Sequence, residues 1–140
     1  MSMVPGGGFV RWIAACIGAL FLSGAAFAAD PLFVNLTSDD GHRAHMAIAF
    51  AQNALDAGHP ATIFLNVDAV KIAAKANSEQ RDNRALLEAF VKRGGKVLVC
   101  PHCAEKAKLT AADLIEGAQI SESQITQQAL FAPGARALSW

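Results

Sequence analysis

A single α/β domain is the fold the sequence predicts, on three observations. Short apolar runs alternate with stretches of helical spacing. The first two runs enclose one such stretch, as a strand, helix, strand unit does. No internal repeat, low-complexity tract or linker divides the chain. A strand, helix, strand unit implies parallel pairing with a right-handed crossover, so the expected architecture is a sandwich of helices and a mostly parallel sheet.

The first strand is read at Leu32–Thr37, an apolar run that contains Asn35, and Ser38-Asp39-Asp40-Gly41 ends it with turn and capping chemistry. Helical spacing runs from His42 to Leu55. There Met46 and Phe50 are four apart, as are Ala47, Ala51 and Leu55, and Gly58 closes the helix. Ala61–Asn66 is the second strand. Asp68–Ala76 reads as one short helix and the polar run Asn77–Asn83 as an exposed loop. Leu86, Leu87, Phe90 and Val91 line one face of the next helix. Lys92 and Arg93 complement its C-terminal dipole, and Gly94-Gly95 stops it.

Lys96–Cys100 is the third strand, with a helix over Cys103–Lys108 behind it. Pro101 suits a first helical position because it has no N–H to leave unpaired. Thr110 and Asp113 form an approximate capping box over a turn ending at Gly117, while Ser121 and Gln124 match the box more closely and open a helix to about Leu130. Pro133-Gly134 turns the chain into a last edge strand, Arg136–Trp140.

Residues 1–28 are expected to be a secretory signal peptide. Arg11 precedes the apolar run Trp12–Leu22, broken only by Gly18, and Ala26-Phe27-Ala28 fits the small-x-small cleavage pattern. At about 1.5 Å per residue the run is too short to cross a hydrocarbon core of about 30 Å. Ile13-Ala14-Ala15-Cys16 is similar to a lipoprotein box, but the apolar run lies mostly after the cysteine, where lipidation needs it before. Cleavage after Ala28 would leave residues 29–140 periplasmic or secreted, with no stable membrane insertion. A formal net charge of +0 supplies no field to attract nucleic acid or an anionic membrane.

Beyond Ala28 only Cys100 and Cys103 remain of the 3 cysteines, and both sit in Cys100-Pro101-His102-Cys103. One paired motif points to chemistry or metal rather than to a disulfide framework. A cysteine that ends a strand and opens a helix has its thiolate favoured by unpaired N–H groups and the helix dipole. Protonated His102 adds positive charge beside it. In a Cys-x-x-Cys arrangement the first thiol is usually the nucleophile, which leaves Cys103 as the resolving thiol.

Two alternatives stand beside this. The pair can be buried and structural, or it can bind zinc with His42 and His45. That order and separation match no common zinc finger, so no metal is expected. No Gly-rich phosphate loop follows the first strand, which argues against a nucleotide or flavin, and no cofactor is expected. His59 lies in a turn and is given no role. The tetrapeptide resembles the active site of periplasmic thiol oxidants of the thioredoxin fold. Those place it after an early strand, with a long helix, further strands and a cis-proline behind it, which the residues after Cys103 do not provide. The likeness is one of chemistry and not of fold.

A wider resemblance covers nearly all of residues 31–140. Val97-Leu98-Val99-Cys100, Cys103-Ala104 and the stretch Leu109-Thr110-Ala111-Ala112-Asp113-Leu114-Ile115-Glu116-Gly117-Ala118 resemble, in that order, the DsrE/DsrF-like sulfur-relay family, as does Asn66-Val67-Asp68-Ala69-Val70 upstream. The resemblance implies a flavodoxin-like three-layer α/β sandwich with a central, mostly parallel sheet of about five strands. It also implies assembly as homo-oligomers, trimers or hexamers. The cysteine matching Cys100 would carry a persulfide and pass its sulfur between a donor and an acceptor.

The export signal and Pro101-His102-Cys103 depart from the general family pattern. If the strand order is 2-1-3, the ends of the first and third strands adjoin and bring Asp40 and His42 to Cys100, where they would bind or protonate a sulfur species. The alternative is that Asp39 or Asp40 only caps the helix and His42 is solvated. The candidate catalytic residues are therefore Cys100, Cys103 and His102, and the candidate substrate contacts are Asp40, His42 and Pro101. Three functions compete: sulfur handling by persulfide or mixed disulfide, thiol-disulfide exchange through both cysteines, and a non-catalytic oligomeric binding module.

Overall fold

The structure is a computed structural model that describes residues 29–140; the signal peptide expected over residues 1–28 lies outside the described residues. Five strands form one sheet: β1 (Leu32–Leu36), β2 (Ala61–Leu65), β3 (Lys96–Val99), β4 (Ala118–Ile120) and β5 (Arg136–Ser139). Their order is β4-β3-β2-β1-β5, and every neighbouring pair is parallel. The helices are α1 (Gly41–Asp56), α2 (Arg81–Lys92), α3 (Pro101–Lys106) and α4 (Ser123–Leu130), with 3-10 segments at Val67–Ala73 and Ala111–Asp113. The chain steps from β1 through β2 and β3 to β4, and α4 then returns it to β5 on the far side of β1.

Alternation along the strands separates two faces. Leu32, Val34, Leu36, Ala61, Ile63, Leu65, Val97 and Val99 join Ala44, Ala47, Ile48 and Ala51 of α1 and Leu87 and Phe90 of α2 in the main core. The alanines keep α1 close to the sheet. Each large apolar side chain buried here contributes about 1.5–3 kcal/mol. Phe33 and Phe64 point the other way, with ring centroids 6.2 Å apart, beneath Thr126 and Leu130 of α4. Helices on both faces of a parallel sheet give the flavodoxin-like three-layer arrangement.

The structure corrects the sequence reading in four places. The assumed 2-1-3 strand order is replaced by one in which β2 separates β1 from β3. Ala118–Ile120 is an additional strand, three residues long, too short to show a period of its own. The run Asn77–Asn83 is not an exposed loop throughout, because α2 begins at Arg81 and Gln80 and Asn83 are buried. Gln80 Nε2 donates to Asp39 O at 2.6 Å and Asn83 Nδ2 to Gly41 O at 3.1 Å, so both amides serve the start of α1. Finally, Ser121 and Gln124 form no capping box: the Ser121 hydroxyl bonds Glu122 O at 3.0 Å and Thr126 Oγ1 at 2.8 Å. The Thr110 and Asp113 box does form. The Asp113 carboxylate accepts from the Thr110 N–H at 2.8 Å and from its hydroxyl at 2.6 Å, bonds that hold Asp113 below the ordinary carboxylate pKa.

Candidate dithiol site

The site is built where β3 ends. Cys100 follows Val99 directly and is the N-cap of α3, with Pro101 in the first turn as its missing N–H allows. The Cys100 N–H donates to Leu65 O at 2.9 Å, which ties it to the end of β2. One helical turn on, the Cys103 N–H donates to Cys100 Sγ at 3.4 Å. Both cysteines are free and half-buried.

Their thiols differ in surroundings. Cys103 Sγ donates to Asn66 Oδ1 at 3.1 Å and accepts from the Val67 N–H at 3.2 Å. Asn66 and Val67 are the first two residues past β2, brought here because β2 is the neighbour of β3. Val67 has φ +52°, a left-handed conformation that a β-branched residue adopts only where its surroundings impose it. Burial, and next the hydrogen bond it shares with Cys100, push the Cys103 thiol above its ordinary pKa, while the Val67 N–H and the charge of Lys106 act in the opposite direction.

A raised pKa keeps a thiol protonated to higher pH, so its thiolate fraction near neutrality is small. Native alkylation followed by peptide mapping is therefore expected to label Cys103 more slowly than an unperturbed thiol at pH 7–8, with the rate still climbing above the usual thiol range. A Cys103 rate that levels off below that range would contradict this environment.

The other candidates are distributed unevenly. Pro101 and His102 are exposed on the first turn of α3, beside the thiols in sequence. Asp40 caps α1, its Oδ1 accepting from the Arg43 N–H at 2.9 Å, and His42 is exposed in the first turn of that helix. With β2 between β1 and β3, the strand order that would have carried Asp40 and His42 to Cys100 is not the one formed. From the loop after β1 it is Asp39 that reaches a neighbouring segment: Lys71 Nζ bonds Asp39 Oδ2 at 3.3 Å and Asp68 Oδ1 at 2.7 Å. His59 Nδ1 lies 2.9 Å from Asp30 O. Among the described residues no group of three or more His, Cys, Asp or Glu side chains gathers as a metal site.

Two recesses flank α4. The larger, about 490 Å³, opens at the opposite end of the strands, by Pro31, Pro60 and Gly95, and is far from the thiols in the fold. The smaller, about 360 Å³, runs over Phe33 and Phe64 to Asn66 and so borders the site. Asn66 and Val67 are the site residues that reading along the chain misses. The signal that points to them is their place just after the second strand, once that strand is known to adjoin the third.

Fold and site together define an α/β protein with an all-parallel sheet that presents a dithiol at the C-terminal end of an inner strand. The model of the DsrE/DsrF-like family matches residues 31–138, and the chain belongs to that family. Among curated proteins it is similar to the uncharacterized protein MK0008 of Methanopyrus kandleri, with 33% identity over 81 residues covering 56% of this chain and 67% of the relative. It is also similar to the uncharacterized protein MJ0989 of Methanocaldococcus jannaschii, with 37% identity over 81 residues, 56% of this chain and 71% of the relative. Among solved structures, the ychN protein of E. coli shares the fold at a TM-score of 0.64 and 18% identity, over 80% of this chain and 99% of that one.

Proposed function

We propose that this protein handles sulfur covalently on Cys100, as a persulfide or mixed disulfide, with Cys103 as the thiol that resolves it. Membership of the DsrE/DsrF-like family makes it a sulfur-relay-type protein at the level of the family. The observation that carries the finer reading is the asymmetry of the pair. Cys103 Sγ is held between Asn66 and Val67, whereas Cys100 Sγ, at the strand end, receives only the Cys103 N–H among these bonds. A thiol supported by an N–H donor and not engaged as a donor itself is the better placed nucleophile.

Intact mass after exposure to polysulfide tests this. Wild type is expected to gain one sulfur atom or to convert to an internal disulfide, and Cys103→Ser to retain the added sulfur. No adduct on either form would remove the proposal. The proximity of the thiols also supports a second reading, thiol-disulfide exchange without sulfur carriage. It requires a reversible two-electron transition in glutathione buffers in a protein that takes up no sulfur.

The setting belongs to the same proposal. We place the mature protein in the periplasm, on the strength of the composition of residues 1–28. Exported protein should begin at Ala29, and retention of an uncleaved chain in the cytoplasm would contradict this. Among the described residues no helix is long and apolar enough to cross a membrane. Self-association is supported by exposed apolar side chains on α1, Met46 and Phe50, the latter packed at a tilt against Trp140 with ring centroids 5.6 Å apart.

A further inference from the structure

A persulfide on Cys100 would have a second thiol one helical turn away, and the lifetime of the carried sulfur depends on how readily that thiol attacks. The structure restrains it through Asn66. The Cys103 S–H donates to Asn66 Oδ1 at 3.1 Å, and the Val67 N–H donates to Cys103 Sγ at 3.2 Å. Asn66 Oδ1 also accepts from that same N–H at 2.9 Å, so oxygen and sulfur share one donor. The donor is aimed by Val67 at φ +52° in a chain segment that lies 36 residues before Cys103. A carboxamide oxygen is a good acceptor but a very weak base, so it holds the thiol proton without removing it. The N–H favours the thiolate, and the Asn66 oxygen draws part of that donor away from sulfur.

We propose that Asn66 is a positioning residue that restrains Cys103 and thereby sets the lifetime of a persulfide on Cys100. This rests on the reading of Cys100 as a sulfur carrier. The restrained step is balanced without an outside oxidant. Cys103 gives up its proton, and its sulfur attacks Cys100 Sγ. The bond from Cys100 Sγ to the outer sulfur breaks, and its electron pair leaves with that sulfur as hydrosulfide, which takes up the proton. The outer sulfur is reduced to sulfide, the Cys103 thiol is oxidised, and a Cys100 to Cys103 disulfide remains. Loss of the Asn66 oxygen frees the S–H and leaves the Val67 N–H wholly to sulfur. Both changes favour the attacking thiolate.

The test loads the protein with polysulfide, removes the excess, and follows sulfide release and intact mass. Asn66→Ala is expected to load as fully as wild type and to release sulfide roughly fivefold faster, the size of effect one such hydrogen bond has on a rate. Asn66→Ser keeps a capping oxygen for Val67 on a shorter side chain, so a similar acceleration there separates loss of the restraint from loss of a cap. The acceleration must vanish when Asn66→Ala is combined with Cys103→Ser, which a merely loosened fold would not produce. Normal loading with unchanged release in both Asn66 variants, or acceleration that persists without Cys103, would overturn the proposal. Failure of every variant to load, Cys103→Ser included, would instead overturn sulfur carriage itself and this role with it.

Discussion

Cys100→Ser is expected to abolish sulfur loading, the largest functional effect of any single substitution in this chain. A serine hydroxyl puts an oxygen acceptor where the Cys100 sulfur caps α3, and serine is among the preferred residues there, so the helix should be retained. The hydroxyl is not ionised near neutral pH and forms no stable bond to sulfane sulfur, so the chemistry should go while the fold stays. Cys103 remains in this variant, but it is engaged by Asn66 and Val67 and pushed to higher pKa by burial, so it is a poor replacement. Cys103→Ser should act in the opposite sense, prolonging the adduct because its resolving thiol is gone. Full loading of Cys100→Ser would show that the reactive sulfur had been assigned to the wrong cysteine.

The largest effect on stability is expected from Phe90→Ala. Phe90 heads the fully buried side chains by volume, and its ring lies directly over the backbone of Gly95, where an added Cβ would overlap it. Gly94 at φ +92° and Gly95 carry the chain from α2 into β3, so the ring packs against the turn that launches the strand ending at Cys100. Truncation of a buried phenylalanine costs about 3–5 kcal/mol, a large share of the roughly 5–15 kcal/mol that holds a domain together. In urea unfolding the midpoint should fall steeply with little change in slope. A loss below about 1 kcal/mol would contradict a ring packed at this junction. Gly95→Ala approaches the same contact from the other side and is expected to cost about 1–3 kcal/mol through overpacking.

Much of this architecture is legible along the chain because it is local. The apolar runs of β1, β2 and β3, the helical spacing of α1 and the Gly94-Gly95 stop depend on neighbours within a few residues, and all appear where their residue types place them. The DsrE/DsrF-like resemblance rests on similar local order, and the match over residues 31–138 upholds it. Strand order is different in kind. Whether β1 or β2 adjoins β3 depends on side-chain packing across the whole sheet, and no short stretch encodes it.

That one long-range fact separates the two halves of the candidate site. Cys100 and Cys103 are three positions apart in the chain, so the sequence itself pairs them. The residues that hold Cys103 arrive from the end of β2, while Asp40, for which the sequence offered either a place beside the thiols or a helix cap, caps α1. The burial of Gln80 and Asn83 is long-range in the same way. A polar run reads as solvated, and only the arrival of the Asp39 and Gly41 carbonyls gives its amides buried partners.

Peptide mapping of polysulfide-treated wild-type protein, alkylated before digestion, tests the central claim most directly because it locates the sulfur. The sulfur is expected on Cys100, or already released as one equivalent of sulfide with a Cys100 to Cys103 disulfide left behind. Stable sulfur on Cys103 with Cys100 unmodified, or two unmodified thiols, would contradict it.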